Sequence, residues 1–430
     1  MRTSLLRPAL FCAILFACNA SEVVDTGSST APSSPDPSGD GEAGRDGAAG
    51  LPGEGPTDGG SGGTLDGQVP GPDVEPGDPH VQFIGRFDMK EAAGPKCAWP
   101  GCRIVARFEG TSISVALEEI DAPWMDGAPS EWDVSVDGVI TKKLVMQQGR
   151  TTYPLASGLG PGAHVVELYK RSESQNGTTR FAGFDFEGGT LLAPPKRKAR
   201  HLEIIGDSAA AGFGIEGVGM ADAGDCPGAD HGALWQNFRK SFGEKLGTML
   251  DAEIHGTVYS GKGIAKNIWH PDHDTLPIMF LRTIPTLDVS PWDFSEWQPD
   301  AVVVMAGGND FAVGKPYDEG PATLDAFIQA YRQFAETLRT KYPNAYLFLT
   351  VSPSVSDAEP AGRQTRTNVM AGVTTVTSER NAQGDAKVRW YAPAVSQPSE
   401  MTACNGHGDE GFHQRVAAEL ATMMRPHLGW

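Results

Sequence analysis

From His80 the apolar residues fall in short runs rich in Val, Ile, Phe and Tyr. These are Val81–Phe87, Arg103–Phe108, Ser112–Leu117, Trp132–Val136, Thr151–Leu155, His164–Lys170 and Thr179–Phe186. Turn residues separate them, and Asp137-Gly138 and Asn176-Gly177 are hairpin-type signals. Regular short strands without helical spacing predict an antiparallel sandwich. After Pro194-Pro195 and the basic stretch Lys196–Arg200 the rhythm changes. Strands are predicted at Leu202–Ile205, Glu253–Tyr259, Ala301–Met305, Tyr346–Val351 and Lys387–Tyr391. Helices are predicted at Gly232–Leu250, Leu324–Tyr342 and Gly411–Met424. Strand–helix alternation predicts a mostly parallel sheet covered on both faces, an α/β/α arrangement.

The residues before His80 have a different character. Arg2 and Arg7 precede an apolar stretch, Pro8–Ala17, that is too short for a membrane span and has the form of a secretory signal. It ends in Leu15-Phe16-Ala17-Cys18, which resembles the bacterial lipobox, with Phe16 a less usual occupant of its position. Lipidation of Cys18 would tether the mature protein to a membrane. Asn19 follows, with no Asp to hold it at the inner membrane, so an outer-membrane or surface position is expected. The alternative is an ordinary signal peptide cleaved nearby. From residue 19 to residue 79 Gly, Pro, Ser and Asp dominate, a composition that cannot bury enough apolar surface to offset ordering, so a disordered tether is expected. The expected organisation is therefore signal 1–18, tether 19–79, β-sandwich 80–195 and α/β domain 196–430. With 430 residues and a net charge of −19, the chain can bury two cores and is a poor partner for nucleic acid, anionic membrane surfaces or acidic polymers.

Three segments suggest chemistry. Ile204-Ile205-Gly206-Asp207-Ser208 is an apolar strand running into a turn that presents a serine; Gly307-Gly308-Asn309-Asp310 ends another apolar run; His407 lies near the C-terminus. A serine hydroxyl needs a base within hydrogen-bond reach, and His407 is the candidate. Attack on an ester carbonyl creates an oxyanion that needs preorganised donors. The Asn309 side chain can supply one, with the backbone N–H groups of Ser208 and Gly261. Singly these are ordinary turn sequences, but each follows a buried-type strand, where ligand sites of open α/β sheets lie.

Together with Ser260-Gly261-Lys262-Gly263, these blocks resemble the four ordered blocks of the SGNH (GDSL-type) hydrolases, and carbohydrate esterase family 2 in particular. Cys404-Asn405-Gly406-His407, followed by His413, is similar to the last block of that family. The resemblance runs from about His80 to the end. It implies a jelly-roll sandwich before a three-layer hydrolase domain, with Ser208 as nucleophile, His407 as base, and Ser208, Gly261 and Asn309 as oxyanion donors. It implies no cofactor. SGNH enzymes usually carry an Asp two or three positions before the His, where this chain has Asn405 and Cys404. Some family 2 members use a Ser–His dyad with a backbone carbonyl instead, and that reading is carried over, with Asn405 as the candidate third member. Asp409 and Glu410 lie on the wrong side of His407 and are expected on a solvated loop face.

Apart from Cys12 and Cys18 there are four cysteines, which allow three pairings. Pairing Cys97 with Cys102 and Cys226 with Cys404 keeps each bridge within one domain. The loop Trp269–Asp274 holds two His and two Asp, but no further cluster at ligand spacing completes a zinc site, so a polar loop edging the cleft is expected and no metal. His413 is expected in a structural hydrogen bond. Trp99 and Trp124 belong either to a sugar-binding face or to the core. The functional expectation is an extracytoplasmic esterase removing acetyl groups from neutral polysaccharide of the acetylxylan or acetylglucomannan type. The alternatives are an SGNH lipase or thioesterase, and a lipid-anchored carbohydrate-binding protein whose hydrolase domain has decayed.

Overall fold

The structure, a computed structural model, describes residues 73–121, 129–220, 226 and 232–430. Among the described residues the N-terminal part holds ten strands: β1 (Gln82–Ile84), β2 (Lys96–Cys97), β3 (Arg103–Glu109), β4 (Ile113–Asp121), β5 (Glu131–Val136), β6 (Val139–Val145), β7 (Thr152–Ala156), β8 (Ala163–Lys170), β9 (Thr178–Asp185) and β10 (Thr190–Leu192). They form two antiparallel sheets: one in the order β1-β3-β8-β5-β6, with β10 also on β3, and one in the order β2-β9-β4-β7. Ile104, Val134 and Leu168 of the first share a core with Val115, Phe181 and Phe184 of the second. The strand-rich part takes in residues ahead of His80, since Val74 is buried and bridges Phe184. Trp99 is buried in this core, while Trp124 lies outside the described residues, as do Cys18 and the segment before it.

Two expectations are corrected. Asp137-Gly138 does turn a hairpin between β5 and β6, but Asn176-Gly177 does not, since β8 and β9 lie in different sheets. Cys97 and Cys102 are free, buried thiols: Cys97 ends β2 in one sheet and Cys102 leads into β3 of the other, where its Sγ meets the Arg86 carbonyl at 3.7 Å.

The C-terminal part is a parallel sheet of β11 (Arg200–Gly206), β12 (Ala252–Val258), β13 (Ala301–Met305), β14 (Tyr346–Thr350) and β15 (Val388–Tyr391), in the order β12-β11-β13-β14-β15. Among the described residues seven α-helices accompany it: α1 (Ser208–Ala211), α2 (Phe242–Leu250), α3 (Leu276–Met279), α4 (Gly308–Phe311), α5 (Leu324–Lys341), α6 (Thr365–Ala382) and α7 (Glu410–Leu428). Adjacent strand residues serve opposite faces. Ile205, Val302 and Val304 pack with Phe334 of α5 and Val373 of α6, while Ile204, Val303 and Met305 pack with Leu246 of α2 and Leu420 of α7. Burial on both faces accounts for the unbroken apolar runs. No helix among the described residues is long and apolar enough to cross a membrane.

The two parts are joined through buried charge. Arg86, ahead of the first long strand, reaches under the parallel sheet, where one guanidinium nitrogen meets Glu203 of β11 at 2.8 Å and another donates to the Arg282 carbonyl at 3.0 Å. Its guanidinium lies 5.0–5.4 Å from the rings of Phe280, Trp292 and Phe294. Removing one partner of such a pair leaves a buried, uncompensated charge. Arg86→Ala is therefore expected to cost about 3–5 kcal/mol, read from the denaturant midpoint, and Arg86→Met combined with Glu203→Gln to recover much of that loss.

Candidate active site

The chain runs from β11 outward to β12 and then back across to β13, so the sheet order reverses beside β11. Crevices that bind ligands open at the carboxyl ends of strands at such a point. Gly206 and Met305 are paired across β11 and β13, so the residues that follow them, Ser208 and Gly308-Asn309, emerge side by side. Gly206 is needed for space: a Cβ there would lie 2.6 Å from both Ala210 Cβ and the Met305 carbonyl. Its φ is not in the left-handed region, so space and not backbone conformation is what calls for glycine here. Asp207 caps α1 by accepting from Ala209 N at 3.1 Å.

His407 comes to the same crevice from the other end of the chain. Its Nε2 lies 2.9 Å from Ser208 Oγ, and its Nδ1 lies 3.0 Å from the main-chain oxygen of Cys404. That carbonyl also accepts from His407 N at 3.2 Å. The turn Cys404–Gly406 folds back on itself because Asn405 and Gly406 take left-handed conformations, φ 55° and 66°. Asn405 thus contributes backbone shape, and the atom that meets Nδ1 belongs to its neighbour. Cys404 is bonded to Cys226 across 178 residues, and its N–H donates to the Gly214 carbonyl at 3.2 Å. Closing so long a loop is worth about 5 kcal/mol on a chain-entropy basis. The bridge anchors the very residue that holds the imidazole, and Phe213 packs against the ring with centroids 4.7 Å apart.

The other two blocks converge here. Asn309 Nδ2 donates to the Lys262 carbonyl at 2.9 Å, which fixes the amide and leaves its second N–H for the crevice. Asp310, fully buried, accepts from the backbone N–H groups of Ile264, Ala265 and Lys266 at 2.9, 2.6 and 3.0 Å. It therefore fastens the loop that carries Gly261. Gly261 has φ 79°, and a Cβ there would lie 2.9 Å from the Trp269 ring. Burial pushes the carboxyls of Asp207 and Asp310 up to about 7, against the backbone donors that favour ionisation. Ser208, Asn309 and His407 line a cavity of about 210 Å³, together with Ser352, Ser354, Val355, Glu359, Met401 and Phe412.

Several sequence-derived readings change or sharpen. Asp409 is the N-cap of α7, accepting from Phe412 N at 3.0 Å, rather than part of a solvated face; Glu410 is exposed and pairs with Lys240 at 2.8 Å. In the Trp269–Asp274 loop Asp272 pairs with Lys262, and Asp274 with Arg282 at 2.7 Å, so its acids are committed to cations. His413 is buried and its Nδ1 accepts from Phe242 N at 3.1 Å, the structural role expected of it. Two residues that sequence reasoning did not single out now matter: Asp310, hinted at by its place beside Asn309, and Glu173, for which the sequence held no signal.

A Ser–His pair in the crevice at the switch point of a parallel sheet is the arrangement of a GDSL-type hydrolase. Residues 204–414 match the GDSL-like lipase/acylhydrolase family, and residues 83–195 match the carbohydrate esterase 2 N-terminal domain. The chain thus carries a carbohydrate esterase 2 N-terminal domain followed by a GDSL-like lipase/acylhydrolase domain, and the relatives it matches are family 2 carbohydrate esterases. It is 30% identical over 366 residues to the cellulase/esterase CelE of Acetivibrio thermocellus, covering 85% of this chain and 41% of that protein. The chain thus spans well under half the length of that relative. It is 24% identical over 357 residues to an acetylxylan esterase/glucomannan deacetylase of Cellvibrio japonicus, covering 82% of this chain and 90% of the relative. Among solved structures, a family two carbohydrate esterase from Clostridium thermocellum in complex with cellohexaose superposes with a TM-score of 0.72 at 29% identity, covering 81% of this chain and 99% of that one.

Burial holds the His413 imidazole far below its usual range, at about 3. The folded protein therefore keeps it neutral where the unfolded chain would protonate it. Its contribution to stability is complete above the ordinary histidine pKa of about 6.5 and is lost as pH falls from there towards 3, by up to about 1.4 kcal/mol per pH unit. His413→Gln should flatten that part of the stability curve, measured from denaturant midpoints at pH 7.5 and pH 5.0.

Proposed function

We propose that this protein is a serine esterase that removes acetyl groups from neutral polysaccharides of the acetylxylan or acetylglucomannan type, with Ser208 as nucleophile and His407 as base. The observation that carries this reading is the imidazole bridging two oxygens: Nε2 at 2.9 Å from Ser208 Oγ and Nδ1 at 3.0 Å from the Cys404 carbonyl. A carbonyl can only accept, so Nδ1 must carry the proton and Nε2 is left with its lone pair towards the serine. Ser208 Oγ attacks the acetyl carbonyl carbon while its proton passes to Nε2. The carbonyl oxygen takes up the negative charge between the N–H groups of Ser208 and Gly261 and the Asn309 amide. Nε2 then returns the proton to the departing sugar oxygen, the C–O bond breaks, and acetyl-Ser208 remains. Water repeats the sequence and releases acetate.

The absent carboxylate changes the energetics rather than the sequence of steps. A carbonyl dipole orients the ring as a carboxylate would but stabilises the imidazolium less. The bridge to Cys226 and the double use of the Cys404 oxygen support the ring position instead. The sugar-ester reading over a lipase is favoured by the mixed wall of the cavity, which Ser352, Ser354 and Glu359 line along with Met401 and Phe412. A long alkyl chain is best served by an apolar channel. The relatives named for acetylxylan and glucomannan support the same substrate class. We take the N-terminal sheets as the family's jelly-roll domain, and secretion with a lipid on Cys18 at the outer membrane or cell surface as the location, on the strength of Leu15-Phe16-Ala17-Cys18.

Acetate release from acetylated xylan and glucomannan tests the assignment. The wild type should turn over both, and Ser208→Ala should lower kcat by about 10⁴-fold or more with its folding intact. Turnover that survives in Ser208→Ala contradicts the nucleophile. Glycan binding without turnover in the wild type would point to a decayed hydrolase that binds carbohydrate.

A further inference from the structure

Glu173 stands in the segment that links β8 to β9, in the N-terminal part of the chain, and its side chain is fully buried. It crosses to the hydrolase part and grips one residue with both oxygens. Ser260 N donates to Oε2 at 2.6 Å, and Ser260 Oγ donates to Oε1 at 2.6 Å. Glu173 is itself held: its N–H donates to Gln236 Oε1 at 2.9 Å, its carbonyl accepts from Lys170 Nζ at 3.2 Å, and the Gln175 side chain bonds its carboxyl. Burying a carboxyl group is costly and is tolerated where its hydrogen bonds are made. Burial drives this one up to about 7 despite the two donors from Ser260.

The position of Ser260 gives the contact its meaning. The peptide unit between Ser260 and Gly261 carries the Gly261 N–H, one of the three donors assigned to the oxyanion. Glu173 fixes the unit on its N-terminal side. On the other side the Gly261 carbonyl accepts from Ile268 N at 2.9 Å. Beyond that, Asp310 and Asn309 hold the loop from within the hydrolase part. The plane of this donor thus hangs between an anchor from its own domain and an anchor from the other.

We propose that Glu173 is a positioning residue for the oxyanion site, so that the N-terminal domain sets the aim of the Gly261 N–H and takes part in turnover through geometry. This rests on the esterase reading above. Removal of an oxyanion donor costs about 10²–10³-fold in kcat, so loosening one should cost about 10- to 100-fold.

The test is kcat and KM for an acetyl ester in the full two-domain protein, normalised to the number of serines that an organophosphate labels, for wild type, Glu173→Ala and Glu173→Gln. Labelling counts folded, reactive sites, so a merely structural loss disappears on normalisation. Glu173→Ala is expected to lose about 10- to 100-fold in kcat with KM changed less than about threefold, because the oxyanion forms only after binding. Glu173→Gln can still bond both Ser260 groups, with its amide N–H turned to the hydroxyl, and should keep most of kcat. Normalised kcat unchanged in Glu173→Ala would overturn the proposal, as would equal losses in Ala and Gln, which would point to charge in place of positioning. Where Glu173→Ala does not fold, Ser260→Ala decides: a fall in normalised kcat supports the proposal and an unchanged value overturns it. Ser208→Ala run alongside separates the two claims, since its survival would sink the esterase reading whatever the Glu173 variants do.

Discussion

The two nitrogens of His407 must be in opposite states for the proposed reaction, one protonated and one with a free lone pair aimed at Ser208. In the hydrolases this chain resembles, a carboxylate usually imposes that state. Here a main-chain oxygen, that of Cys404, faces Nδ1 at 3.0 Å. A backbone carbonyl cannot be protonated and has a fixed direction, so it settles the tautomer as firmly as a carboxylate. What it lacks is net charge. The surroundings then have to provide positional precision, and much of the local structure does that. The left-handed Asn405 and Gly406 fold the oxygen back, the bond to Cys226 and the contact with Gly214 fix Cys404, and the Asp409 cap starts α7 two residues after His407.

The division into a strand-rich part and a hydrolase part describes sequence better than it describes mechanics. Arg86 carries a charge from the first part to Glu203, on the strand that leads to Ser208. Glu173 reaches from the first part to Ser260, on the loop that leads to Gly261. Tyr259 and Met279 of the hydrolase part belong to the apolar core of the strand-rich part. Two of the blocks that build the crevice are thus supported from outside the sheet that bears them. A support role of this kind explains why burial runs unbroken through Lys170–Thr179, a stretch whose residues are almost all polar.

Much of this was legible in the sequence where one physical pressure dominates. In the parallel sheet β11, β12, β13 and β14 are almost wholly buried, and the sequence pattern located all five strands to within two residues, the partly exposed edge strand β15 included. The long helices α5 and α7 were equally plain. Elements under mixed pressures were not. β6 is an edge strand of sequence VITKKLV, exposed along most of its length, and offers no alternation. α6 is rich in Thr and Val, whose intrinsic preference is for strands, and is helical because its buried face packs on the sheet and on α5. The stretch Gly232–Leu250 read as one helix but contains two 3₁₀ turns before α2. At the site, Ser208, Asn309 and His407, which the structure brings to one cavity, stood out as candidates because their chemistry would lie in side chains. The Cys404 carbonyl could not be located from residue type, since every residue has one. The Cys97–Cys102 pairing was expected because it keeps the bridge within one domain; the two residues do share that domain but remain free, buried thiols.

The most direct test of this account is the protonation state of His407 in the resting protein, read by ¹⁵N NMR with labelled histidine and assigned through His407→Gln. The account predicts a ring protonated at Nδ1, with Nε2 unprotonated at neutral pH and its resonance perturbed in Ser208→Ala. A ring protonated at Nε2, or one indifferent to the loss of the serine hydroxyl, would contradict it.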